Sequence, residues 1–110
     1  MNSNLDELNG KKASIIGCSE GLFHAVYFRQ ENTLTIIFDW CGTADAAQGF
    51  GFWQLAESYR PKAKYEGSCI GATNNGAVNN IGLVIDTAGN IYHTSSTGRR
   101  RVSGIVSFEQ

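Results

Sequence analysis

The stretch Asn80-Ile81-Gly82-Leu83-Val84-Ile85-Asp86-Thr87-Ala88-Gly89-Asn90-Ile91-Tyr92-His93-Thr94 decides the fold. An apolar run from Ile81 to Ile85 stops at Asp86-Thr87-Ala88-Gly89-Asn90, and a second short β-prone run follows. Two such runs around a short Gly-containing loop predict a β-hairpin. Asp86 and Asn90 suit the turn because their side chains bond nearby backbone, and Gly89 accepts positive φ. The two runs read as scaffold and the polar loop as a turn.

Working outward, Leu22-Phe23-His24-Ala25-Val26-Tyr27-Phe28 is apolar on both alternating faces, which predicts a strand buried on two sides. The segment Thr33 to Trp40 alternates, with Leu34, Ile36 and Phe38 on one face, and the polar Arg29-Gln30-Glu31-Asn32 joins the two strands in a second hairpin. Cys41 to Ala47 reads as a loop. Gln48 to Leu55 reads as a strand with Phe50 and Phe52 on one face and Gly49, Gly51 and Trp53 on the other, the glycine face admitting a close neighbour. Pro61 pushes Arg60 towards extended backbone, so Ala56 to Lys62 is a corner before a strand from Ala63 to Thr73. Asn74-Asn75-Gly76 is a turn, Ser95 to Gly98 a loop, and Arg99 to Phe108 the last strand.

At the other end, residues 1–12 form a polar leader in which Asn4 and Glu7 have capping-box spacing. Ala13 to Cys18 reads as a first short strand, and residues 13–110 as a single domain. About eight short strands, with turn signals every 8–12 residues or so and no helical periodicity, predict an all-β fold. Its architecture is expected to be a two-sheet antiparallel sandwich of jelly-roll type.

The 110 residues suffice for one domain that buries roughly two-thirds of its unfolded surface. Charged residues make up 17%, below the usual level of about 25%, which leaves uncharged surface to meet a partner. Nine basic against ten acidic residues give a net charge of −1, with no global field for nucleic acid or an anionic membrane. No apolar run approaches the ~18 residues of a membrane-spanning helix. The first residues lack the pattern of a signal peptide, which points to synthesis in a cytoplasm. Cys18, Cys41 and Cys69 match no zinc spacing; they read as three free, buried thiols, with a single Cys18–Cys41 bridge as the alternative.

Nucleophilic catalysis needs a nucleophile and a base that meet. His24, inside an apolar strand, reads as a satisfied core or interface histidine, and His93, closing the hairpin, as exposed. Asp39 and Asp45 flank a Gly-containing loop, but calcium needs a denser acidic loop. No carboxylate pair stands out as a glycosidase site. The chain therefore reads as non-enzymatic, with no metal and no cofactor. Arg99-Arg100-Arg101 is too narrow a patch for nucleic acid. It reads as a strand entry whose arginines alternate between solvent and an interface, or contact acidic groups of a surface polymer or neighbouring subunit.

Trp40, Trp53, Tyr59, Tyr65 and Tyr92 fall near predicted strand ends together with Asn74, Asn75, Asn79 and Asn80. Carbohydrate sites use this mixture, an aromatic face against the C–H surface of a sugar and amides bonding its hydroxyls; adaptable protein-binding surfaces use a similar one. Trp53, Tyr59 and Tyr65 are the ligand-binding candidates, with Asn74 and Asn75 in an adjoining loop. The alternative is that each aromatic is a core residue with its polar tip at the edge.

The corner Tyr59-Arg60-Pro61, followed by Gly82-Leu83-Val84-Ile85 through Gly89-Asn90-Ile91-Tyr92, resembles the C-terminal head domains of bacteriophage tail-fibre and receptor-binding proteins over about half the chain, residues 59–110. The resemblance implies a β-sandwich homotrimer that binds saccharides on the bacterial cell surface, has no catalytic residues, and is made in the host cytoplasm and carried on the virion. Several linked copies would raise avidity. Only about a dozen leader residues stand where a fibre shaft would be, as in an excised head or a freestanding small protein. The rival readings are a structural or assembly subunit of a phage particle, such as a baseplate or capsid decoration, and a small polysaccharide hydrolase.

Overall fold

A computed structural model describes residues 21–110; the polar leader, the predicted strand from Ala13 and Cys18 lie outside the described residues. Seven antiparallel strands follow one another: β1 (Leu22–Gln30), β2 (Thr33–Ala46), β3 (Trp53–Gln54), β4 (Tyr65–Ala72), β5 (Val78–Ile85), β6 (Asn90–His93) and β7 (Arg99–Glu109). One 3-10 turn, Glu57–Tyr59, interrupts them. The all-β, antiparallel expectation is met. All seven strands join one sheet in the order β1-β2-β7-β4-β5-β6-β3, which curls into a nearly closed, barrel-like form.

The hairpin that decides the fold forms as β5 and β6, with Leu83 opposite His93, Val84 opposite Tyr92 and Ile85 opposite Ile91. Its turn is locked by Asp86. The Asp86 carboxylate accepts hydrogen bonds from the Ala88 and Asn90 amides at 3.0 and 2.9 Å, and its carbonyl accepts from the Gly89 amide at 2.9 Å. Gly89 takes φ +87, and a Cβ there would meet the Leu55 carbonyl at 2.8 Å. The turn thereby also holds the corner, since the Leu55 amide donates to the Gly89 carbonyl at 2.9 Å. Arg60 is extended (φ −88, ψ 146), as its position before Pro61 requires.

Successive strand residues face opposite sides of the sheet. The inward set from β2 (Leu34, Ile36, Phe38, Trp40), β5 (Ile81, Leu83, Ile85) and β7 (Val102, Val106, Phe108) makes one buried core. Each such side chain contributes about 1.5–3 kcal/mol by leaving water. The strands β1 and β3 stand at the two ends of the hydrogen-bonded order. Aromatic rings bring these ends together. Phe23 stacks on Trp53 with centroids 5.0 Å apart and planes at 8°, Trp40 meets Phe52 at 4.5 Å, and Tyr27 stacks on Tyr59 at 3.9 Å.

Several local expectations change. β1 is not buried on two sides: Leu22, Val26 and Phe28 are exposed, while Phe23, Ala25 and Tyr27 pack against the core. Among the described residues it is an edge strand of a curled sheet with one enclosed face. The expected loop after Trp40 is instead the end of β2, which runs 14 residues by bulging between Cys41 and Ala46 before pairing resumes at Arg99. The expected strand from Gln48 to Leu55 shrinks to Trp53–Gln54. Gly49 turns at φ +74, Phe50 is exposed and Phe52 buried, so those two rings share no face. His93, expected exposed, is fully buried because it lies opposite inward-facing Leu83. His24, expected in the core or at an interface, is not in the core but exposed on the open face of β1. Cys41 is disulfide-bonded and Cys69 is a free, buried thiol, which replaces the reading of three free thiols.

Candidate functional site

One end of the barrel is closed by the β4–β5 turn and the β6–β7 loop, and both are built for rigidity by short polar residues. In the turn, the Thr73 amide donates to the Ala77 carbonyl at 2.9 Å and the Gly76 amide to the Thr73 carbonyl at 3.0 Å, with Gly76 at φ +92. Thr73 also donates through its hydroxyl to Asn75 Oδ1. In the loop, Nδ1 of buried His93 accepts from the Ser95 amide at 3.1 Å. The proton is therefore on Nε2, which donates to the Ala46 carbonyl at 2.6 Å and ties the loop to β2.

Arg99 reaches into this end and is 5% exposed. Its Nη1 donates to the Gly71 carbonyl and to Asn79 Oδ1, each at 3.0 Å, and its Nη2 donates to Ser95 Oγ at 3.1 Å. The absence of a side chain at Gly71 makes the space: a Cβ there would sit 3.0 Å from Arg99 Cδ. All of these acceptors are neutral, so a buried positive charge lies beside the surface with no carboxylate bonded to it among the described residues. Below it, burial pushes the Cys69 thiol up to about 12, while the nearby Arg99 charge pulls the other way.

Between turn and loop lies an open hollow of about 500 Å³, lined by Asp45, Thr73, Asn74, Asn75, Ala77, Asn79, Thr97 and Arg99. Three carboxamides in it share one orientation. Asn79 Oδ1 accepts from Arg99, Asn74 Oδ1 accepts from Arg100 Nη1 at 3.0 Å, and Asn75 Oδ1 accepts from the Ala77 amide at 3.4 Å. Arginine and amide nitrogens only donate, so the oxygen end of each carboxamide is fixed towards the protein. Each NH₂ is left to donate outward. The hollow is thus rich in donors beside a buried cation, with Asp45 as its one carboxylate.

The five ligand candidates do not meet. Asn74 and Asn75 line this hollow. Tyr65 lies at the far end of the eight-residue β4, roughly 25 Å away at strand rise, tilted against Phe108. Tyr59 is at that same far end, half-buried on Tyr27 and with the Arg29 guanidinium 5.9 Å from its ring centre. Trp53, 37% exposed, is part of the aromatic seam. Beyond the five ligand candidates the hollow holds Asn79, which the sequence grouped with the sugar-type mixture, Arg99 of the arginine run, and Thr73, Ala77, Thr97 and Asp45. Arg99 stood in the arginine run, but the run splits three ways: Arg99 inward, Arg100 onto Asn74 and the Gly42 carbonyl, and Arg101 onto Asp39.

The string Gly17-Cys18-Ser19-Glu20-Gly21 has Gly-x-Ser-x-Gly spacing. All of it but Gly21, which leads into β1, lies outside the described residues. The fold is a small antiparallel β-domain with an open polar hollow at one end. No protein-family model matches the sequence, and no curated protein matches it at a significant level.

Proposed function

We propose that the protein is a non-enzymatic recognition module that binds saccharides of the bacterial cell surface, as the heads of phage tail fibres do, and that its ligand seat is the hollow around Asn74, Asn75, Asn79 and Arg99. The observation that carries this reading is the common orientation of the three carboxamides beside the buried guanidinium. A site that presents donors suits a ligand that presents acceptors, and the carboxylate, acetamido carbonyl and ring oxygens of surface polysaccharides are such groups. Asp45 accepts from a sugar hydroxyl. The proposal includes a homotrimer displayed on a virion, where linked copies convert weak single-site binding into avidity.

Glycan-array binding followed by titration calorimetry tests it. Asn74→Asp and Asn79→Asp keep the acceptor oxygen that each arginine needs but replace the outward NH₂ with negative charge. Each is expected to weaken binding about tenfold or more while leaving the circular dichroism spectrum unchanged. Undiminished binding by the doubly substituted chain, or no binding to any bacterial surface polymer, would remove the assignment.

A further inference from the structure

The outer face of the sheet, which the saccharide seat does not use, carries an apolar ladder. Val26 of β1 lies opposite Ile37 of β2, and Ile37 lies opposite Ile105 of β7. The three are 54, 42 and 63% exposed, and Phe28, two residues along β1 on the same face, is 54% exposed. Across β7, the same face sinks into a hollow of about 400 Å³ lined by Ile70, Ala72, Val78 and Ser103 and by Asp39 and Arg101. Arg101 donates from Nε and Nη2 to the two oxygens of Asp39 at 2.9 and 2.8 Å, so this charge pair is internally matched. Solvent faces of antiparallel sheets are ordinarily polar, which makes a β-branched ladder over three adjacent strands an anomaly for a lone domain.

We propose that this face packs against a second copy of the same chain, the Val26–Ile37–Ile105 ladder of one copy seated on the β4–β5 hollow of the other. Three observations select a copy of itself. Ridge and hollow lie side by side on one face, so each copy supplies what the other needs. The hollow's two charged groups, Asp39 and Arg101, are bonded to each other, and the rest of its lining is uncharged. The exposed parts of the ladder, Phe28, Ile70 and Val78 present on the order of 500 Å² of apolar surface, the upper range of the largest patch on an ordinary monomer, and such patches are often functional. That is more than half of the roughly 800 Å² per partner of a standard interface. A ridge-to-hollow seat closes either as a reciprocal pair or around a three-fold axis. The inference rests on the homotrimer in that reading and names its face; a monomeric wild type would remove the homotrimer, while the saccharide seat stands or falls by its own binding test.

Sedimentation velocity over a micromolar dilution series tests it on the full chain. The wild type is expected to sediment as two or three protomers. Ile105→Glu, on the ridge, and Val78→Glu, beside the hollow, are each expected to weaken association by about 30-fold or more. Both side chains are well exposed, so the circular dichroism spectrum should stay native. Phe50→Glu, an equally exposed change in the loop before β3, is expected to leave the assembly intact. A wild type that stays monomeric, or ridge and hollow variants that sediment like it, would overturn the proposal. So would a monomer that Ile105→Glu destabilises thermally, because the face would then be covered from within its own chain.

Discussion

Replacing Trp53 by alanine separates a seam residue from a ligand contact. Trp53 is 37% exposed, so nearly two-thirds of its surface is covered, mainly by Phe23 stacked at 5.0 Å. Covering roughly 150 Å² of a large aromatic corresponds to at most about 4 kcal/mol at 25 cal/mol per Å². The site is at an open seam, where neighbours and water can partly fill the gap, so about 2–3 kcal/mol is the expected loss. The stack itself should appear as a coupling of about 1 kcal/mol in a double-mutant cycle with Phe23→Ala. Urea unfolding of the four chains measures both quantities. The folded fraction of the Trp53→Ala chain is expected to bind saccharide as the wild type does. Stability changed by less than about 1 kcal/mol, with binding lost, would refute the seam argument and restore Trp53 as a ligand contact.

Other outcomes follow from single residues. Glu31 holds φ +55 in the β1–β2 turn, a region that disfavours side chains, so Glu31→Gly should raise stability by up to about 1 kcal/mol in the same urea assay. Burial alone would raise the Asp86 carboxyl, but the hydrogen bonds from Asn90, Ala88 and Gly89 outweigh it and hold the group below its ordinary 3.8. Its stabilising effect is therefore complete above about pH 4 and disappears as pH falls through the lower folded value. Melting temperature against pH should show this acid dependence reduced in Asp86→Asn. Cys69, pushed up to about 12 by burial, should resist alkylation at pH 8 in the native protein and react once denaturant is added, as mass spectrometry of the labelled chain would show.

The parts of the fold legible in the sequence are those governed by near neighbours. The β1–β2 and β5–β6 hairpins follow from alternation broken by turn residues, and the Arg60 corner from a steric rule about proline. The stretch Gln48 to Leu55 misled because alternating glycine and aromatic residues imitate a strand. Among the described residues it bonds to β6 along one side, the Gly49 amide to the His93 carbonyl and the Phe52 amide to the Ile91 carbonyl, and only Trp53–Gln54 pairs as a strand. His93 was misplaced for a related reason. Apolar neighbours in sequence say that a strand has a buried face but not how many of its faces the sheet encloses.

The candidate site divides along the same line. Asn74 and Asn75 were legible because turn chemistry placed them in a loop. The meeting of Arg99 with Asn79 was not, since it depends on β4 lying between β7 and β5, a pairing of segments far apart in the chain. The aromatic candidates had the composition of a sugar site, but the curl of the sheet assigned Trp53 and Tyr59 to its own closure. By itself the sequence determined strand periodicity, turn positions and the all-β class, because these rest on side-chain alternation and backbone preference within a few residues. Only the tertiary structure decided strand order, which face of each strand is enclosed, and which polar groups converge at the barrel end. Those depend on long-range pairing and on closure of the sheet, and no local pattern encodes either.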